Sequence, residues 1–153
     1  MQKAIFNIQN ETDFERCALQ VFKHQFENNK VYRSFCDLLY IHPSDVKEVA
    51  QIPFLPIQFF KTHQVLSTNQ SVQETFTSSG TTGAQVSKHL VADLSWYETS
   101  YTRAFEHFYG SVKDYTVLGL LPNYLEREGS SLIYMVNDFI HKSNNPKSGF
   151  YLD

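Results

Sequence analysis

The sequence predicts an α/β protein: a mainly helical amino-terminal segment over residues 1–63, leading into part of a parallel-strand α/β sheet over residues 64–153. Three observations carry that expectation. Apolar residues recur at helical spacing through the first segment. From Val65 onward the texture changes to short strand-like runs separated by Ser, Thr, Asn and Gly. A near-continuous apolar run, Tyr115–Leu121, then lies between two helical patterns, as in a parallel sheet whose strands are covered on both faces.

The elements follow in order. Thr12-Asp13-Phe14-Glu15 is readable as a capping box, in which Thr12 accepts from a first-turn amide and Glu15 reaches back. Phe14, Ala18, Val21, Phe22 and Phe26 line one face of the helix it opens, and Asn28-Asn29 closes it. A second helix carries Tyr32, Phe35, Cys36 and Leu39 and ends before His42-Pro43. Ser44 or Asp45 opens a short third helix that stops ahead of Pro53. Ile52–Lys61 holds two prolines among apolar residues, which predicts a buried connector with Pro56 opening a helical turn. Strands are expected at Val65-Leu66, at Val72–Phe76 and, as the return strand after the Ser/Thr/Gly loop, at Val86–Val91. Ser95–Glu98 caps a helix presenting Leu94, Tyr97, Tyr101, Ala104, Phe105 and Phe108 to the core. After the buried strand Tyr115–Leu121, Ser130-Ser131 opens a helix with Leu132, Ile133, Val136, Phe139 and Ile140 inward. The turn-rich Asn144–Gly149 leads into what reads as another strand, Phe150–Asp153. So few central strands for a parallel sheet create the expectation of an incomplete domain.

Composition excludes some functions. The chain has 153 residues, a formal net charge of −3 and a pI near 6.0, so it lacks the basic footprint of a nucleic-acid binder. No apolar stretch reaches the length of a membrane span. The start lacks the pattern of a secretory signal, and a cytoplasmic location is the expectation. Cys17 and Cys36 each fall in a helical segment and read as buried thiols. The histidines, at positions 24, 42, 63, 89, 107 and 141, show no metal-type spacing, and no metal ligands are expected.

The chemistry is concentrated in Thr77-Ser78-Ser79-Gly80-Thr81-Thr82-Gly83, directly after an apolar strand. Its glycines permit positive φ and close backbone approach. Successive amides in such a loop can converge on an anion, and the hydroxyls add donors. Lys88 is near enough in sequence to supply a positive charge. The Walker pattern is absent, because Gly83 is followed by Ala84-Gln85. An ordinary Ser/Thr/Gly loop is the competing reading of the composition. Ser130 and Ser131 invite an anion at a helix start, and plain N-capping accounts for them equally well. Glu126 and Arg127 are candidates for the rim of the same pocket, or solvated loop charges.

The order Ser-Gly-Thr-Thr-Gly after a strand resembles the phosphate-binding loop of the adenylate-forming acyl-activating superfamily. Further segments resemble its acyl-protein synthetase branch: Ile52–Pro56 with Phe59-Phe60-Lys61, Phe76–Gly83, and Leu120–Arg127 with Ser130-Ser131-Leu132. The resemblance implies that the chain is the amino-terminal portion of that superfamily's large domain. It implies activation of a carboxylic acid, a fatty acid for this branch, by ATP and Mg²⁺ as an acyl-adenylate. The acyl group then passes to a thiol acceptor, a small molecule or a protein cysteine. It assigns the ATP phosphates to Thr77, Ser78, Ser79, Gly80, Thr81, Thr82, Gly83 and Lys88. The commoner loop continues Gly-x-Pro-Lys, whereas Gly83–Lys88 has no proline and a later lysine. The superfamily's adenine-binding motif, ribose-binding aspartate and catalytic lysine have no match here. The expectation is therefore a chain that supplies the phosphate loop but is inactive alone. The alternatives are a phosphate- or nucleotide-binding module without chemistry and a partner-binding fragment.

Overall fold

A computed structural model describes residues 2–67, 69–78, 85–121 and 129–152. The chain divides into two compact units, Met1–Ser71 and Val72–Asp153.

The first unit is helical. Helix α1 spans Gln2–Ile5, α2 Glu11–Asn28, α3 Lys30–Leu38 and α4 Phe59–Thr62. The start of α2 is set by Asn10, whose side chain accepts from the Asp13 amide at 2.9 Å, so the expected Thr12 cap falls inside the helix. Asn29 serves two helices at once. Its amide donates to the Gln25 carbonyl at the end of α2, and its Oδ1 accepts from the Tyr32 amide at the start of α3.

The end of α3 has the geometry of a Schellman motif. Tyr40 sits at φ 56°, its amide donates to Asp37, and the Ile41 amide donates to Cys36. That reversal ends the helix earlier than the approach of His42-Pro43 suggests. In place of the third helix a turn covers Pro43–Asp45, followed by a single 3₁₀ turn, Val49–Gln51, capped reciprocally by Glu48 and Gln51.

Phe22, Phe26, Tyr32, Cys36 and Val46 form the core, with Leu19, Phe35, Ile41, Ile52 and Leu55 against it. The connector is buried on one side only. Ile52 and Leu55 pack inward and the Tyr32 hydroxyl donates to the Pro53 carbonyl at 2.6 Å, whereas Phe54 and Ile57 face outward. The Phe59 amide donates to the Pro56 carbonyl, so Pro56 does lead into a helical turn. Cys17 and Cys36 are buried free thiols. Burial raises the Tyr32 and Cys36 pKa values, keeping both groups protonated. No strand forms at Val65-Leu66.

The second unit mixes two small sheets with two long helices. Strand β1, Glu74–Thr77, pairs antiparallel with β2, Lys88–Val91, in the register Glu74↔Val91 to Thr77↔Lys88. Val86–Val91 is therefore the return strand that the sequence predicts, and the parallel pairing lies in the elements that follow. Helix α5, Leu94–Tyr109, follows, and then a 3₁₀ turn at Val112–Asp114. Strand β3, Leu118–Gly119, runs parallel to β4, Gly149–Phe150, with helix α6, Ser131–Ser143, between them. This β3-α6-β4 unit is the parallel α/β element that the sequence predicts.

Strand β3 is covered on one side rather than two: Gly119 is buried while Leu118 and Leu120 are exposed. Gly119 permits a close approach, because an added Cβ would lie 2.9 Å from the Phe150 ring and 3.2 Å from Val136.

Tyr97, Tyr101 and Phe105 form an aromatic column on α5, and Tyr101 and Phe105 meet Phe139 of α6 at about 5 Å. Phe108 and Ala104 are exposed, so the predicted inward stripe runs out before the last turn of α5. Leu132 of α6 is likewise exposed, while Ile133 and Phe139 are buried. The Tyr101 hydroxyl donates to Asp138 at 2.6 Å, and Asp138 also pairs with Lys142 at 2.6 Å. Burial, reinforced by that carboxylate, raises the Tyr101 pKa. Among the described residues, no helix is long and apolar enough to cross a membrane.

Candidate anion site at the hairpin mouth

The two hairpin strands flank the Ser/Thr/Gly segment, β1 ending at Thr77 and β2 starting at Lys88. Phe76 is buried, with its ring 5.2 Å from Tyr97 and 5.6 Å from Tyr134. Side chains alternate along a strand, so Thr77 is turned to the opposite face, together with its cross-strand partner Lys88. Both are exposed.

The ladder continues one residue further. The Ser78 amide donates to the Ser87 carbonyl at 3.1 Å, and the Ser87 amide donates to Ser78 Oγ at 3.1 Å. Ser78 and Ser87 thus close the base of the intervening loop. Ser79, Gly80, Thr81, Thr82 and Gly83 lie outside the described residues, as do Glu126 and Arg127.

Antiparallel pairs alternate between bonded and non-bonded. Because Ser78 bonds across to Ser87, the Thr77 amide points away from β2. It donates instead to the Gly129 carbonyl at 2.8 Å. Gly129 immediately precedes Ser130, the N-cap of α6, whose side chain accepts from the Ile133 amide at 3.4 Å. The Tyr97 hydroxyl donates to the Ser131 carbonyl at 2.9 Å, fixing the first turn of α6 beside the same aromatic cluster.

The structure therefore places Thr77, Ser78 and Lys88 on the hairpin and ties Thr77, through Gly129, to the start of α6, where Ser130 and Ser131 lie. Helix α6 has no acidic residue in its first turn and has His141 and Lys142 in its last, so its positive end carries no neutralising carboxylate within the first turn. The first-turn amides of a helix have no intrahelical acceptor. A hydroxyl-rich hairpin mouth, one ammonium and a helix amino terminus constitute a donor set suited to an anion. Ser130 does cap its helix, so the capping reading of that residue holds alongside. No group of His, Cys, Asp and Glu suited to holding a metal occurs among the described residues.

Sequence reasoning missed Gly129, Tyr97, Tyr134 and Ser87 as parts of this arrangement. The visible signal for Gly129 is a glycine just ahead of a cap; the others act through long-range contacts that periodicity does not reveal.

Comparison with known proteins agrees in part with these expectations. The family model described as "Acyl-protein synthetase, LuxE" matches residues 4–106, which include both hairpin strands and most of α5. A similar curated protein is a long-chain-fatty-acid–luciferin-component ligase of Photorhabdus luminescens. It is 30% identical over 70 residues, which make up 45% of this chain and 60% of that protein. The match thus spans less than two thirds of that relative's length. No solved structure matches.

Proposed function

The chain belongs to the acyl-protein synthetase, LuxE, family, and from that premise we propose that it takes part in ATP-dependent activation of a fatty acid, using Thr77–Gly83 with Lys88 to hold the ATP phosphates. The observation that carries the proposal is the Thr77 amide bonded to Gly129, which sets the start of the loop beside the amino end of α6. The related ligase, whose name specifies a long-chain fatty acid, supports the choice of acid.

In this reading the acid's carboxylate oxygen attacks the α-phosphorus of ATP. An acyl–O–P bond forms, the bond between the α-phosphorus and its bridging oxygen to the β-phosphorus breaks, and pyrophosphate leaves. A thiol then takes the acyl group as a thioester and AMP departs. The chain's own contribution is electrostatic. Loop amides and hydroxyls, with Lys88, stabilise charge accumulating on the departing phosphates in fixed geometry. Mg²⁺ enters with the phosphates, since this ion is commonly held through substrate oxygens with one or two carboxylates at most. Ser130 and Ser131, at the start of α6, are candidates for the rim of the pocket. The reaction belongs in the cytoplasm, in keeping with free buried thiols.

The test is carboxylate-dependent ATP–pyrophosphate exchange by the whole protein. Exchange that requires a fatty acid is expected. Tight pyrophosphate binding without exchange, across fatty and aryl acids, would reduce the protein to a non-catalytic phosphate-binding module.

A further inference from the structure

Helices α5 and α6 run in the same direction, since the residues that meet across them rise together: Tyr97 with Ser131, Glu98 with Tyr134, Tyr101 with Asp138 and Thr102 with Lys142. Two of these contacts are crossed. The Tyr101 hydroxyl of α5 donates to the Asp138 carboxylate of α6 at 2.6 Å, and the Tyr134 hydroxyl of α6 donates to the Glu98 carboxylate of α5 at 2.7 Å. Lys142 reinforces the first, pairing with Asp138 at 2.6 Å and donating to Thr102 Oγ1 at 3.2 Å, above the Tyr101 ring. Tyr101 is buried, and Glu98, Tyr134, Asp138 and Lys142 are half-buried. None of these groups belongs to the proposed phosphate site.

The apolar part of the same interface is repetitive. Tyr97, Tyr101, Phe105 and Tyr109 put one ring on each turn of α5. Phe139 of α6 touches two of them, Tyr101 at 5.1 Å and Phe105 at 5.0 Å. Apolar burial is non-directional, so a column of rings with this period is a weak guide to how far one helix sits along the other. Hydrogen bonds are directional, and a half-buried charge deprived of its partner is costly.

We infer that the crossed tyrosine–carboxylate pairs are a conformational device that fixes the register of α5 against α6. A displacement by one turn, about four residues, shows how they do so. If each α5 residue meets the residue one turn further along α6, Glu98 comes opposite Asp138, carboxylate against carboxylate, and Phe105 comes opposite Ser143. In the other direction Tyr101 comes opposite Tyr134, phenol against phenol, and Glu98 comes opposite Ser130. Only the observed register gives each tyrosine a carboxylate on the other helix. Fixing register is the best-attested use of polar groups set into an apolar helix interface.

Met135 packs in this core, and Met1 is the chain's other methionine. The experiment follows the carbon-13 methyl resonance of Met135 in the wild-type chain, Tyr101→Phe, Tyr134→Phe and the double variant, with far-UV circular dichroism confirming helix content. Each phenylalanine keeps the ring and removes the hydroxyl. One resonance is expected in the wild type and in each single variant, where one pair still holds the register. In the folded double variant a second resonance is expected, at about a tenth of the main one or more, as a displaced register becomes populated. A single sharp resonance in the folded double variant overturns the inference. So does a second resonance of equal intensity in both single variants, which would mean that any lost hydroxyl loosens the core. If the double variant fails to fold, Glu98→Lys decides, because the new ammonium would meet Asp138 after a one-turn displacement. A second resonance is expected there, and a single sharp one refutes the device.

Discussion

Asn10 and Asn29 are both N-caps, and the structure predicts that replacing each with alanine has very different consequences. Asn10 is exposed: its Oδ1 accepts from the Asp13 amide, and water can replace it there. Asn10→Ala should cost about 0.5–1 kcal/mol, the usual value of an exposed cap. Asn29 is 3% exposed. Its Oδ1 holds the Tyr32 amide at 3.1 Å, and its Nδ2 donates to Gln25 Oε1 at 3.3 Å. Removing the side chain loses a cap worth about 1 kcal/mol and leaves the Tyr32 amide buried without a partner, a further penalty of about 1–3 kcal/mol. Gln25 Oε1 keeps its bond from Ser67 Oγ, which limits the loss on that side. Asn29→Ala should therefore destabilise by about 2–3 kcal/mol. Asn29→Asp should recover only part of that. It restores the acceptor for Tyr32 but turns a carboxylate oxygen toward Gln25 Oε1. Urea unfolding followed by far-UV circular dichroism, extrapolated linearly, measures all three. If Asn29→Ala costs no more than Asn10→Ala, the amide of Tyr32 finds another partner and burial does not set the penalty.

Two further perturbations test other parts of the fold. Tyr40 occupies a left-handed position at φ 56° with its side chain 95% exposed, so Tyr40→Gly should relieve strain at no cost in packing and stabilise by about 0.5–1 kcal/mol in the same urea assay. A loss of stability would mean that Tyr40 makes contacts its exposure does not suggest. The second concerns alkaline pH. Tyr32 and Tyr101 have raised pKa values, through burial first and through the Asp138 hydrogen bond at Tyr101. The unfolded chain then releases its phenolic protons first, so stability is fully present below about pH 10, the ordinary phenol value, and falls as pH rises above it. Tyr101→Phe should flatten that decline when stability is followed from neutral to alkaline pH, and an unchanged slope would exclude Tyr101 as its source.

Much of this architecture is legible in the sequence where local spacing decides it. The helices α2, α3, α5 and α6 follow from apolar residues at helical intervals, and the Phe76 strand entering the loop follows from its composition. Register does not. Val86–Val91 reads as a return strand, but nothing local fixes the Ser78–Ser87 closure that sets its pairing with β1. Helix ends shifted for equally specific reasons. Asn10 outcompetes Thr12 as a cap, and Tyr40 adopts the left-handed turn usually given to glycine. The outward faces of Phe54, Phe108 and Leu118 show that apolar character states a preference for burial without guaranteeing it. At the site, the loop's residue types were visible, whereas its tie to Gly129 joins positions too distant for any motif to connect.

The central claim is that Thr77–Gly83 holds the phosphates of ATP, and titration calorimetry with MgATP tests it most directly. Thr81→Val removes a hydroxyl donor and Gly83→Val removes the freedom of close backbone approach. Hydrogen bonds to charged groups are worth about 1.5–3 kcal/mol, which is roughly tenfold or more in affinity. Both variants are predicted to bind MgATP at least about tenfold more weakly than the wild type while unfolding at the same urea concentration. Variants that stay folded and bind MgATP as tightly as the wild type would contradict the account.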